Sequence, residues 1–313
     1  MRHSLTLAVL LGAVMPLEGE SVSSRLPTFE AGVEIVHVTV SVTVGRGHHV
    51  TDLDRGAFVL FEDGVPQDLA LFARDEVPVS LVLMLDSSDS MRAKLGMAQV
   101  AARAFVRTLR PGDTAEVLQF SQNVRVVQDF TSDRAALESA ISGIRTDGST
   151  ALYDALYVAL QDLSRQREPG ALRRLAVVVL SDGCDTVSHL TDDQVLEAAR
   201  RSQAAVYAVG LPTSPSPNAA ASTGPQIEYF LKTLARDTGG RTYFPAQPDD
   251  LEGVYGEIAQ ELRTRYSLAY VPRSERQDGR WHQVTVAIPT RGDLVVHHKP
   301  GYYAPAKSRV TAR

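Results

Sequence analysis

The stretch that decides the fold is Leu81 to Met91, LVLMLDSSDSM. The run Val79 to Leu85 is apolar except for Ser80 and is bounded by Pro78 and Asp86. That is the composition of a strand buried on both faces of a parallel sheet. Asp86, Ser88 and Ser90 follow at alternate positions on a short loop before a helical pattern. They offer one carboxylate and two hydroxyls, an all-oxygen set. Hard divalent cations take oxygen ligands, and Mg²⁺ accepts one or two protein carboxylates.

Working outward, Leu175 to Leu180 (LAVVVL) is a second strand of the same kind, ending in Ser181-Asp182-Gly183. Between the two lies Asp147-Gly148-Ser149-Thr150, a loop that feeds the helical pattern Ala151 to Arg167. The rest of the middle alternates strand and helix. Met91 to Leu109 has helical apolar spacing and stops at Arg110-Pro111-Gly112. Thr114 to Phe120 reads as a strand with Val124 to Phe130 as its hairpin partner. Ser132 or Asp133 caps a helix from Arg134 to Ile144. Thr191 to Gln194 is a capping box, Ala205 to Leu211 a strand, and Asp249 to Arg265 a final helix. In such open α/β sheets ligands sit outside the carboxyl ends of the strands, where strand order reverses. If the two Asp-bearing strands are neighbours there, Asp86 and Asp182 face one crevice. Thr150 then brings a further hydroxyl. The Pro-, Ser- and Ala-rich segment Pro212 to Pro225 leaves a strand end and should rim the same edge.

The flanks have a different period. Val36, Val38, Val40, Val42 and Val44 alternate with polar residues, and Phe58 to Phe61 and Leu69 to Phe72 add short strands. Period two returns in Tyr266 to Pro272, Trp281 to Pro289 and Leu294 to His298. The expected architecture is therefore a doubly wound, mostly parallel α/β sheet inserted in a β-rich, sandwich-like domain built from both chain ends. Its parts are residues 21–77, 78–265 and 266–313. The alternative is two separate flaps of strands edging the α/β sheet.

Composition bounds the function. A chain of 313 residues with 44% hydrophobic and 22% charged residues has the balance of a globular protein with a sizeable core. Net charge of −5 argues against nucleic acid or an anionic membrane surface as the main partner. The single cysteine, Cys184, excludes an intrachain disulfide. Residues 1–20 read as a signal peptide, with Arg2 and His3 ahead of an apolar stretch, Leu5 to Val14, that is too short to span a bilayer. Export to the periplasm, the cell surface or the medium is the expectation, without stable membrane insertion.

The three separated motifs, Asp86-x-Ser88-x-Ser90, Thr150 in GSTALYDAL and Asp182 in LSDG, resemble in kind and order the metal-ion-dependent adhesion site (MIDAS) of von Willebrand factor A-type domains. The β-rich flanks and the KPGYYAP tail resemble exported bacterial proteins of that kind. The resemblance implies a Rossmann-like fold and a metal, Mg²⁺ or alternatively Mn²⁺ or Ca²⁺, held by Asp86, Ser88, Ser90, Thr150 and Asp182. It also implies a non-catalytic role in adhesion or protein binding, in which a partner's acidic side chain completes the coordination. The usual glycine of the motif is replaced by Asp89, an added carboxylate that either strengthens cation binding, opposes an acidic partner or faces solvent.

Other features weigh less. Asp154, one turn after Thr150, is either a support for the metal ligands or a structural group near a helix start. Arg291-Gly292-Asp293 spells an integrin-type tripeptide, but Gly-Asp at a hairpin tip is ordinary turn chemistry. His48-His49 and His297-His298 are adjacent pairs in or beside strands, where neighbours point to opposite faces, which argues against chelation by either pair. Cys184 is read as an inert small residue. An enzymatic alternative, a Mg²⁺-dependent hydrolase or phosphatase with Asp86 as nucleophile, lacks the second carboxylate two residues on, where this chain has Ser88.

Overall fold

The Val/polar alternation does form a strand, β1 (Val36–Val44). In the computed structural model the described residues are 35–45, 47–74, 77–166, 173–183, 185–212, 223–273 and 278–306. The signal-peptide stretch, Cys184 and most of Pro212 to Pro225 lie outside them. All described residues belong to one compact unit.

After β1 come β2 (His48–His49), β3 (Val59–Glu62), β4 (Val65–Gln67) and β5 (Leu69–Arg74). The middle of the chain gives β6 (Val79–Asp86), α1 (Leu95–Arg107), β7 (Thr114–Phe120), β8 (Val124–Thr131), α2 (Arg134–Gly143), α3 (Leu152–Arg165) and β9 (Arg174–Ser181). It continues with α4 (Asp192–Arg201), β10 (Ala205–Gly210), α5 (Thr223–Thr238), β11 (Thr242–Tyr243) and α6 (Leu251–Arg263). The chain returns to strands in β12 (Tyr266–Tyr270), β13 (Trp281–Ala287), β14 (Leu294–His298) and β15 (Gly301–Tyr303).

The central sheet has the order β11-β10-β9-β6-β7-β8, parallel except for the β7–β8 hairpin. Alternate residues serve its two faces. Leu81, Leu83, Leu85, Val178 and Leu180 pack with α1, α2 and α6, while Val82, Met84, Val177 and Val179 pack with α3, α4 and α5. Burial on both faces is why β6 and β9 read as unbroken apolar runs. From β6 the chain first moves to β7 on one side and later to β9 on the other. The reversal therefore falls between β6 and β9, where Asp86 and Asp182 end or follow their strands.

The flanking strands form two antiparallel sheets, β14-β1-β12-β5 (with β2 beside β1) and β15-β13-β3-β4. Each mixes strands from both chain ends. Val36, Val38 and Val40 pair with Tyr270, Leu268 and Tyr266. Val38, Val40 and Val42 share one core with Val284, Val286 and Ile288. The two-flap alternative is thereby excluded. This sandwich meets the α/β part near the amino-terminal ends of its strands. There Lys299 Nζ donates to the carbonyls of Arg200 (2.5 Å) and Ser202, and Arg174, the first residue of β9, donates to Ser267 Oγ on β12 (3.4 Å). The carboxyl ends, at the opposite edge, are left for the site.

One boundary differs in a way that matters. The helix expected from Met91 begins instead with a 3₁₀ turn, Asp89–Ala93, and α1 starts at Leu95. The tighter turn buries Met91 and turns Lys94 inward.

Candidate metal centre

Asp86 is fully buried at the end of β6, and both its oxygens are engaged. Oδ1 accepts from the Ser88 amide (2.8 Å), and Oδ2 accepts from Ser181 Oγ (2.5 Å) on the neighbouring β9. Burial pushes the Asp86 carboxyl above the usual carboxylate range, and the hydrogen bonds from Ser181 and Ser88 oppose that rise. The loop then brings the two serine hydroxyls together, Ser88 Oγ to Ser90 Oγ at 2.9 Å. Ser90 Oγ donates to Asp182 Oδ1 at 2.6 Å, joining the loop after β6 to the loop after β9.

Thr150 arrives on a third loop, stitched to the first. Asp147 N donates to Ser87 O (2.7 Å) and Asp89 N to Gly148 O (2.9 Å). Gly148 is at φ +62°, a backbone conformation that favours glycine. Gly183 shows how close the hydroxyls come. A Cβ on it would lie 3.9 Å from Ser90 Oγ and 4.0 Å from Thr150 Oγ1. The five expected residues thus converge from three loops on one crevice. Their donor set of carboxylates and hydroxyls, without sulfur or nitrogen, suits a hard divalent cation.

Sequence reasoning missed Lys94. The helical spacing of Met91 to Leu109 leaves it on a polar face, where lysine normally reaches solvent. Here its ammonium donates to Asp182 Oδ2 (2.5 Å) and to the Pro212 carbonyl (2.7 Å), with the side chain only 10% exposed. The nearest sequence signal is its place four residues after Ser90, which alone would not separate it from a surface lysine.

Two open readings close. Asp89 is exposed and paired with Arg92 at 2.5 Å, so it faces solvent and not the crevice. Asp154 accepts from the amides of His189 (3.1 Å) and Leu190 (3.0 Å) and pairs with His189 Nδ1 (2.9 Å), which makes it the anchor of the 188–190 turn. In the Arg291-Gly292-Asp293 turn the guanidinium grips its own Asp293 through two bonds of 2.9 and 2.8 Å. Elsewhere, His282 in the sandwich is held between Asp63 (2.9 Å) and Asp278 (3.2 Å), while Glu62 accepts from Tyr270 (2.6 Å) and Tyr302 (3.1 Å). That cluster is a bonded polar network under the strands.

Residues 81–204 match the family model of the von Willebrand factor type A domain. Residues 81–204 are thus a von Willebrand factor A-type (VWA) segment. The fold agrees: a von Willebrand factor type A protein from Catenulispora acidiphila is similar over 90% of this chain and 76% of its own, with a TM-score of 0.52 and 14% identity. Proximal thread matrix protein 1 of the mussel byssus is similar over 64% of this chain and 51% of its own, with a TM-score of 0.52 and 16% identity. Among curated sequences, a UPF0353 protein of Mycolicibacterium paratuberculosis is 24% identical over 58% of this chain. The match spans 60% of that protein's length. VWA domains are commonly protein-interaction modules. No helix among the described residues is long and apolar enough to cross a membrane.

Proposed function

We propose that this chain is an exported, metal-dependent protein-binding module. Asp86, Ser88, Ser90, Thr150 and Asp182 would hold Mg²⁺, with Mn²⁺ or Ca²⁺ as substitutes, and the ion would supply an electrophilic position to an acidic side chain of a protein partner. The observation that carries this reading is the convergence of two buried carboxylates and three hydroxyls at the β6/β9 switch point. Hydroxyl ligands add no charge, so the ion keeps an affinity for one more anion. Export rests on the leader pattern of residues 1–20.

The chemistry of Asp86 supports binding over hydrolysis. A phosphatase-type nucleophile works with a second carboxylate two residues on as acid and base, where this chain has Ser88, whose amide donates to Asp86 (2.8 Å). The test is a pull-down from the native extracellular or cell-surface fraction, with and without EDTA, comparing wild type with Thr150→Ala. A partner captured by wild type alone and released by EDTA is the expected result. Capture that ignores both EDTA and the substitution would contradict it. Metal-dependent turnover of a phosphate ester, abolished by Asp86→Ala, would restore the hydrolase.

A further inference from the structure

We propose that Lys94 is a built-in competitor of the divalent cation at this site. The inference rests on the metal-binding reading above. Lys94 Nζ holds one oxygen of Asp182 while Ser90 Oγ holds the other, so both atoms of that carboxylate are occupied by the protein itself. The lysine side chain is 10% exposed and that of Asp182 is fully buried. A buried carboxylate without a counter-charge is strongly unfavourable, and Lys94 removes that penalty before any ion arrives.

The charge arithmetic follows from the groups facing the crevice. Asp86 and Asp182 contribute two negative charges and Lys94 one positive charge: Asp89 pairs outward with Arg92, Asp147 is exposed, Asp154 is turned to the 188–190 turn, and Asp185 is held by the Tyr153 amide and Ser188. An arriving divalent ion therefore meets a net charge of about −1 in place of about −2. With the ion in place the crevice is at about +1, and a single partner carboxylate brings it to neutrality. Without Lys94 the loaded crevice would already be neutral. The lysine thus lowers metal affinity and reserves the positive charge of the loaded site for an anionic partner.

The same ammonium also holds the carbonyl of Pro212, just beyond β10. If the entering ion draws Asp182 away, this tie loses its ionic partner.

The experiment is a Mg²⁺ and Mn²⁺ titration by calorimetry of the full chain, comparing wild type, Lys94→Met and Lys94→Arg, with circular dichroism to establish folding. Lys94→Met removes the charge at similar length, and Lys94→Gln stands in if that variant does not fold. Lys94→Arg keeps the charge. The expected result is at least about tenfold tighter metal binding by the neutral variant, since a divalent and a univalent charge on the order of 5 Å apart repel by that much even with the screening of bulk water. Lys94→Arg should stay near wild type. Equal or weaker binding by the folded neutral variant, with wild type still binding, would overturn the role of Lys94 and leave the metal site standing. Absence of millimolar metal binding by wild type and both variants would overturn both readings together.

Discussion

The Ser90 hydroxyl donates to Asp182 across 2.6 Å, linking residues 92 positions apart and closing the crevice between β6 and β9. The contact makes the serine a structural clasp as well as a candidate ligand. Ser90→Ala is expected to lower the stability of the metal-free protein by about 1 kcal/mol, the usual net loss for one hydrogen bond. It should also remove most of the thermal stabilisation that added Mg²⁺ confers on wild type. Thermal unfolding with and without 10-fold excess EDTA over metal checks both effects.

A pH effect should come from Glu116 on β7, away from the crevice. Its carboxylate is buried, Oε1 has no hydrogen-bond partner among the described residues, and Asp162 and Asp129 lie near enough to repel it. Burial first, and then those two acids, raise its pKa from 4.5 to about 7. The folded protein therefore keeps a proton that the unfolded chain releases. The stability this group contributes is full below about 4.5 and is lost as pH rises through about 7. Glu116→Gln should be close to neutral at pH 5 and stabilising by roughly 1–3 kcal/mol at pH 8, a few degrees in Tm. A variant equally stable relative to wild type at both values would contradict this.

How much of this was legible in advance depends on how far each residue's role is set locally. Asp86 and Asp182 could be found because an apolar run that ends in Asp marks the carboxyl end of a buried strand, and two such runs mark one edge. The capping box at Thr191 and the Asp133 cap are equally local, and both form. Lys94 was not legible. Its burial requires the 3₁₀ turn at Asp89–Ala93 and a carbonyl from Pro212, 118 residues away. The strands β4 and β15 were also missed, because three residues containing Pro66 or Gly301 show no period. Asp154 could be placed at a helix start, but only the tertiary fold shows the 188–190 turn it anchors.

The sandwich should behave as one cooperative unit in spite of its origin at two ends of the chain. Leu268 on β12 pairs with Val38 on β1 and is fully buried in the shared core. Leu268→Ala is expected to destabilise by about 2–5 kcal/mol. Protection of β1 amides against hydrogen exchange should fall with that of β12. Loss confined to the C-terminal strands would contradict the interleaved sheets.

A second buried charge network fixes the end of α6. Glu261 is fully buried and pairs with Arg265 (2.7 Å) and Arg241 (2.9 Å), and Arg265 also donates to the Gly239 carbonyl (2.8 Å). The two arginines outweigh burial and hold the Glu261 carboxyl below the usual range. Glu261→Ala leaves two guanidinium groups without their anion, a change expected to cost about 3–5 kcal/mol. Urea unfolding reads it directly, and a loss below 1 kcal/mol would show that the arginines find other partners.

The central claim is that the crevice binds one divalent cation through the five oxygen-bearing residues, and the most direct measurement is calorimetric titration of Mg²⁺ into wild type and Asp86→Ala. The account predicts one ion per chain for wild type and no measurable binding to the folded variant. Binding of equal strength and stoichiometry by Asp86→Ala would contradict it.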